Sequence, residues 1–202
     1  MNWLLGAVSL GLVCLSQPVS AQVIEVQANG LIYQTLTKNG ITVMFNHLPG
    51  NLHEYAIVQV AISNGSQGPY IIRPEDFTFE RASGEKIRAV PARTVIEMLR
   101  HKGNGNDAIK LVTTYENSIY GSPHPQALKG YEARRQAAIA STGNKVTTSL
   151  IASALALVQT KLAVGDTTDG AVFFPTDGKP LGPGRLVVHT NTDTFEFNAE
   201  AN

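Results

Sequence analysis

Cysteine and tryptophan are almost absent from this chain. Its 202 residues include one cysteine, Cys14, and one tryptophan, Trp3. Both lie within the first 21 residues, so residues 22–202 contain neither a thiol nor an indole. The lack of thiols excludes disulfide bonds and thiolate metal ligands, and packing must stabilise this part of the chain. The lack of indole removes the aromatic plane most often used to hold sugars.

Charged side chains are absent from residues 1–21. This apolar segment ends with Pro18 and the small-residue triplet Val19-Ser20-Ala21. That order is typical of a secretory signal peptide. The sequence therefore predicts export, with cleavage after Ala21 and a mature protein in the periplasm or the medium. A lipid anchor on Cys14 is disfavoured, because the preceding Gly11-Leu12-Val13 does not follow the order of a lipobox.

Neither sign of charge predominates in the whole chain, which has 16 basic and 16 acidic residues. Residues 100–165 hold eight basic and three acidic residues. Residues 166–202 hold two basic and six acidic residues. The favoured interpretation is that the two segments neutralise each other in the fold. A basic face for an anionic lipid or polymer is the alternative. We expect no nucleic-acid partner, and no apolar run after residue 21 is long enough to predict a transmembrane span.

Two groups of strands are predicted on either side of a helical segment. From Gln22 to about Val90, apolar and polar residues alternate, and Glu54–Ile62 is the most apolar strand candidate. An unbroken apolar run of this kind indicates burial on both faces. Strand patterns return over residues 170–198. Because neither group alone would close a core, the order indicates one β-domain, residues 22–202, with a helical insertion at about 91–165.

Helical spacing dominates the insertion. A short helix is predicted over Thr94–Arg100, and further helices over residues 107–120 and 125–141. The most regular pattern covers 144–164, where an apolar residue recurs at every fourth position: Val146, Leu150, Ala154, Val158 and Leu162. We expect this stripe and Leu155 to be buried as core. Three polar residues are expected to face water: Thr147, Gln159 and Lys161.

Part of the chain resembles exported bacterial immunoglobulin-like β-sandwich domains of unknown function. The matching segments are the strand Ile57–Asn64, the hairpin from Pro74-Glu75-Asp76-Phe77 through Gly84 to Ile87, and the strand Gly170–Pro175. The resemblance implies an α+β chain: an antiparallel immunoglobulin-like sandwich with a helical insertion before its last strands. It implies no activity, because such folds host many functions.

Few residues of this sequence suggest chemistry. His47 and His53 flank a loop with Glu54 adjacent, and imidazoles so placed are potential zinc or copper ligands. No His-x-x-x-His spacing accompanies them, so solvated side chains are the favoured interpretation. Three of the six tyrosines lie in the helical segment, but tyrosines at helical spacing more often pack half-buried, so a sugar site is disfavoured.

Two other motifs are better explained as turns. Gly65-Ser66-Gln67-Gly68 lies between strands, whereas a serine elbow needs Gly-x-Ser-x-Gly between a strand and a helix. The adjacent carboxylates Glu75 and Asp76 point to opposite faces of an extended chain, and Asp76 is expected to bond nearby backbone.

The sequence therefore predicts no catalytic, cofactor-binding or metal-binding residues. The favoured hypothesis is an exported, non-enzymatic interaction or structural module whose partner is an unidentified protein or envelope component. Its helical segment is expected to supply the contact surface. Two alternatives remain open: an envelope enzyme with a site at the sandwich–helix junction, and a small-ligand or metal carrier.

Overall fold

The computed structural model describes residues 22–28, 31–103, 105–121 and 147–199. The strands are β1 (Ile24–Ala28), β2 (Leu31–Lys38), β3 (Ile41–Leu52), β4 (Tyr55–Asn64), β5 (Tyr70–Ile72), β6 (Phe77–Arg81), β7 (Lys86–Arg88), β8 (Thr160–Leu162), β9 (Thr167–Pro175), β10 (Gly184–His189) and β11 (Thr194–Ala199). The α-helices are α1 (Ala92–Lys102), α2 (Gly105–Gly121) and α3 (Thr147–Leu155), and a 3₁₀ turn covers Pro74–Asp76. The predicted signal peptide and the predicted helix over 125–141 lie outside the described residues.

Two antiparallel sheets contain most of the strands. The first sheet has the order β1-β2-β3-β4-β9, and the second has the order β11-β10-β6-β7. Strands β5 and β8 form a separate pair. In the second sheet β10 pairs with β6, so that Leu186 lies opposite Phe79. A strand from before the helical segment is thus paired with one from after it in a single sheet.

The two sheets bury a shared core of apolar side chains. Phe45 of the first sheet meets Phe197 of the second edge to face, with ring centroids 5.1 Å apart. Phe79 and Phe174 form a similar pair at 6.3 Å. Aromatic pairs prefer this geometry, and it holds the sheets face to face. The described part of the chain is therefore α+β, with antiparallel sheets compatible with a β-sandwich.

The helices cover the opposite face of the first sheet. Val95 and Leu99 of α1, Leu111 of α2 and Leu155 of α3 share a buried cluster with Ile57 of β4. The neighbouring Val58 of β4 belongs instead to the core between the sheets. Strand β4 is thus buried on both faces, as its apolar sequence predicts. No described helix is long and apolar enough to cross a membrane.

The prediction of one helix over 144–164 is wrong beyond Leu155. Helix α3 ends there, and Thr160–Leu162 is strand β8 instead. Leu155 and Leu162 are buried as expected, with Gln159 and Lys161 exposed, but Val158 is 52% exposed. Val146 and the side chains of Thr147 and Leu150 lie outside the described set. The helical insertion therefore ends about ten residues earlier than predicted.

A ladder of ion pairs crosses the outer face of the second sheet. Glu80 on β6 accepts from Lys86 Nζ at 2.6 Å and from Arg185 Nη2 at 2.6 Å, and Arg185 also contacts Glu196 at 2.7 Å. The hydrogen bond from Arg185, followed by that from Lys86, lowers the pKa of Glu80 from 4.5 to about 2. The carboxylate is therefore held in its charged form far into the acid range.

Glu80→Gln is expected to lower the thermal midpoint at neutral pH and to have no effect in strong acid. Because folding lowers the pKa of Glu80, its charge stabilises the fold above pH 4.5, and this contribution is lost as the pH falls towards about 2. The difference in midpoint between the two proteins should therefore shrink across that interval. Glu196→Gln, which removes only the outer partner of Arg185, is the control and should change the midpoint less. A difference in thermal midpoint that does not depend on pH would show that the charge of Glu80 is not what stabilises the fold.

Candidate functional site

A row of polar side chains lies on the helix-facing side of the first sheet. Tyr33 of β2 is opposite Asn46 of β3, which is opposite Gln59 of β4. These three side chains are 0%, 1% and 1% exposed, and the fully buried Ser118 of α2 lies over them. Buried polar residues need partners, because an unpaired one costs about 1–3 kcal/mol. The junction between sheet and helices is therefore where several polar groups converge.

Ser118 is the centre of a hydrogen-bond network. Tyr33 Oη donates to the Ser118 carbonyl oxygen at 2.5 Å, and Asn46 Nδ2 donates to Ser118 Oγ at 2.8 Å. Ser118 Oγ in turn donates to Gln59 Oε1. Beside it, Tyr115 Oη donates to Asp169 at 2.9 Å. Burial raises the pKa of Tyr33, so its hydroxyl stays protonated as a donor.

The network fixes α2 on the sheet, and it lacks the arrangement that activates a nucleophile. Ser118 Oγ donates to an amide oxygen, which is too weak a base to take its proton. Asn46 Oδ1 and Gln59 Nε2 have no partner in the described structure. The Ser118 hydroxyl can donate or accept, so the amides of Asn46 and Gln59 could both be turned by 180°. Each amide would still have one atom without a partner. The sequence signal for this site is Gln59, an amide in the middle of the most apolar strand.

The structure gives His47 and His53 different partners. His53 Nε2 lies 2.9 Å from Asp107 Oδ2 of α2. His47 instead lines a small cavity with Glu25 and Phe45. Burial lowers the pKa of His47, which keeps its imidazole neutral. Within the described ranges, no group of three or more His, Cys, Asp or Glu side chains is placed to hold a metal ion.

The two motifs interpreted as turns are confirmed as turns. Ser66 Oγ donates to Asn64 Oδ1 at 2.7 Å, so its hydroxyl closes the bend that follows β4. Asp76 Oδ2 accepts from the backbone N–H of Arg73 at 2.8 Å, which stabilises the 3₁₀ turn before β6. Four tyrosines have described, buried side chains, which offer no exposed ring to a sugar: Tyr33, Tyr55, Tyr70 and Tyr115.

Strand β1 carries exposed apolar residues that the sequence did not single out. Ile24 is 61% exposed and Val26 is 40% exposed. They lie on one face of the strand, since they are opposite Thr35 and Tyr33 of β2. In the described part of the chain β2 is the one strand that pairs with β1. Strand β1 is thus an edge strand with an aliphatic surface.

Two of the other edge strands, β9 and β7, are covered or charged. On β9, Leu157 N–H donates to the carbonyl of Ala171 and Val90 N–H donates to the carbonyl of Phe173, at 2.9 and 3.0 Å. On β7, both flanking side chains are exposed cations, Lys86 and Arg88. Coverage and charge are the usual protections against unwanted pairing. Strand β1 has neither lysine nor proline and carries a single charge, that of Glu25.

Comparison of the chain with protein-family models, curated proteins and solved structures finds no match.

Proposed function

We propose that this chain is an exported, non-enzymatic interaction module that binds an extended segment of a partner protein along β1. The observation that carries the proposal is the exposed aliphatic edge formed by Ile24 and Val26. A free edge offers backbone hydrogen bonds to an incoming strand, and alternate side chains supply specificity. This location replaces the contact surface that the sequence predicts on the helical segment. Among the described side chains of the helices, Ile109 is the large apolar one that is more than half exposed, and Val158 and Val164 are more than half exposed outside the helices.

The positions of the matched segments support an immunoglobulin-like sandwich as the finer fold proposal. Ile57–Asn64 falls in β4, the hairpin residues Phe77 and Ile87 fall in β6 and β7, and Gly170–Pro175 falls in β9. Modules of this kind commonly act through sheet edges and loops, and their rigid core carries no chemistry of its own. Export through the segment ending at Ala21 is part of the same proposal.

Ile24→Lys/Val26→Lys is expected to reduce partner capture by about tenfold or more. The two new charges on β1 would face the apolar side chains of the incoming strand and would have to be buried or displaced on binding. The bait is the exported protein recovered from periplasm or medium, whose intact mass checks cleavage after Ala21. Captured proteins are identified by mass spectrometry, and the affinity of the purified partner is then measured. Because both side chains are exposed, the thermal midpoint should change little.

Ile109→Lys on α2 is the matched control. Its side chain is 66% exposed, so the substitution adds the same charge to an equally accessible apolar site on the helices. Capture by this variant should equal that of the unmodified protein. If Ile109→Lys abolishes capture and the β1 double variant does not, the contact surface lies on the helices and the β1 proposal is wrong.

A further inference from the structure

The sequence of strand β1 is complementary to a second copy of itself. Its residues, Ile24–Ala28, run Ile-Glu-Val-Gln-Ala, and all but the last are exposed. Residues directly opposite each other in an antiparallel pair have their side chains on the same face of the sheet. Two copies related by a two-fold axis perpendicular to the sheet therefore have that axis beside one residue. An axis beside Val26 is the one that pairs every residue of β1 with a residue of the other β1.

The register centred on Val26 matches the two copies on both faces of the strand. On the aliphatic face, Val26 lies opposite Val26 of the second copy, and Ile24 lies opposite Ala28. On the other face, Glu25 lies opposite Gln27, whose amide is able to donate to the carboxylate. An axis beside Glu25 would instead place two carboxylates directly opposite, which is destabilising. An axis beside Gln27 would pair Ile24 and Glu25 with residues beyond the end of β1.

The first sheet leaves β1 available for this pairing. Within the described residues, β2 pairs with one side of β1 and no strand pairs with the other. The opposite edge of the sheet, β9, is covered by the hydrogen bonds from Val90 and Leu157. Pairing of β1 with β1 would join two five-stranded sheets into one continuous antiparallel sheet. Because both copies use the same edge, such an interface closes after two copies.

We infer that the extended segment bound along β1 is β1 of a second copy, in an antiparallel two-fold dimer centred on Val26. This inference rests on the proposed function, because it identifies the partner at the same edge. Each copy contributes three aliphatic side chains to one shared strip: Ile24, Val26 and Ala28. The contact is one short strand from each copy, which is small for a protein interface, so we expect a Kd of about 10–100 μM.

Single-cysteine variants test the register, because residues 22–202 contain no thiol. They are made in a Cys14→Ser background, so that the introduced thiol is the only one in the chain. Under mild oxidation Val26→Cys should form a disulfide-linked dimer. Opposed Cα atoms in an antiparallel pair lie about 4.5–5.5 Å apart, within the range of about 4.4–6.8 Å that a disulfide requires.

Ile24→Cys is the matched control for cross-linking. In the proposed register its two thiols are about 13 Å apart along the strands, so it should cross-link about tenfold more slowly or less. Ile24 is nevertheless the more exposed residue, at 61% against 40% for Val26. Random collision would therefore favour the control, and the dimer favours Val26→Cys.

Charge substitutions at Val26 test the dimer without a covalent bond. Sedimentation equilibrium of the exported protein should show a monomer–dimer equilibrium. Val26→Lys and Val26→Glu should each weaken it by about tenfold or more, because each places two like charges directly opposite. An equimolar mixture of the two variants should dimerise again, since the charges that meet are then opposite. Ile109→Lys on α2 should leave the equilibrium unchanged.

The results that would overturn self-pairing differ from those that would overturn strand addition. Self-pairing is wrong if the protein is monomeric up to about 1 mM. It is also wrong if Ile24→Cys cross-links as fast as Val26→Cys, if Val26→Lys leaves the dimer intact, or if the mixed charge variants stay monomeric. If self-pairing fails and Ile24→Lys/Val26→Lys still loses capture of a different protein, strand addition stands with another partner. If that capture is also unchanged, both proposals are wrong.

Discussion

Gly170→Ala is expected to lower the free energy of unfolding by about 3 kcal/mol. A Cβ atom at this position would lie 2.5 Å from the backbone nitrogen of Leu157 and 2.6 Å from its Cα. Those atoms cannot rotate away, because the Leu157 N–H is hydrogen-bonded to the carbonyl of Ala171. The added methyl group must therefore push the segment that follows α3 away from β9. Urea denaturation followed by circular dichroism measures the loss.

Gly68→Ala is the control for this substitution. A Cβ atom there meets no other atom within 4 Å, so the same chemical change should alter the free energy of unfolding by less than about 0.5 kcal/mol. Similar stabilities for the two variants would mean that Gly170 does not hold β9 against Leu157.

Asn64→Ala should cost about 3 kcal/mol of stability, the second large effect. Asn64 is fully buried at the end of β4, and its Nδ2 reaches the carbonyls of Gly68, Leu162 and Ala163 at 2.8, 3.1 and 3.1 Å. Its Oδ1 accepts from the N–H and the hydroxyl of Ser66. Alanine would remove the partner of all these groups, of which the Leu162 carbonyl is buried and the others are partly buried. The loss is measured by chemical denaturation.

Ser66→Ala separates the contribution of the turn from that of all the hydrogen bonds made by the Asn64 side chain. It removes the hydroxyl contacts and leaves the three carbonyls paired with Asn64, so we expect a loss of about 1 kcal/mol. Equal losses in Ser66→Ala and Asn64→Ala would show that the contacts to Leu162 and Ala163 contribute nothing.

The strands could be predicted because their signals are local. The apolar run of β4 indicates burial on both faces, and the structure places Ile57 against the helices and Val58 between the sheets. Alternation of side chains depends only on the pleat of a strand, so it can be read without knowing the partner strands. The hairpin joining β6 and β7 has the same local origin in its turn residues.

The end of α3 could not be predicted because its causes are distant in sequence. A spacing of four residues places side chains on one face of a helix, and also on one face of a strand. The segment after Leu155 is extended because Asn64 binds the carbonyls of Leu162 and Ala163, 98 and 99 residues away. Gly170 leaves room for that chain to approach β9. No pattern within 144–164 contains either fact.

The polar row beneath α2 is hidden from the sequence for a related reason. Tyr33, Asn46 and Gln59 become neighbours through the register of three strands, which alternation does not specify. The local sign of a buried polar contact is Gln59 in the middle of an apolar strand, and it does not identify the partner. The exposed edge at Ile24 and Val26 is likewise a property of the sheet order, since an alternating strand reads the same at an edge or in the middle.

The passage of the chain from Leu155 to Leu157 has a consequence for how the molecule opens. Leu155 and Ala156 belong to the apolar cluster beneath the helices, whereas Leu157, the next residue, belongs to the core between the sheets. Lifting the helices from the sheet would therefore drag Leu157 out of the second core as well. Local opening of the helical layer alone is penalised, so the two layers should form one cooperative unit. Amide hydrogen exchange at Leu157 would then proceed at the rate of global unfolding.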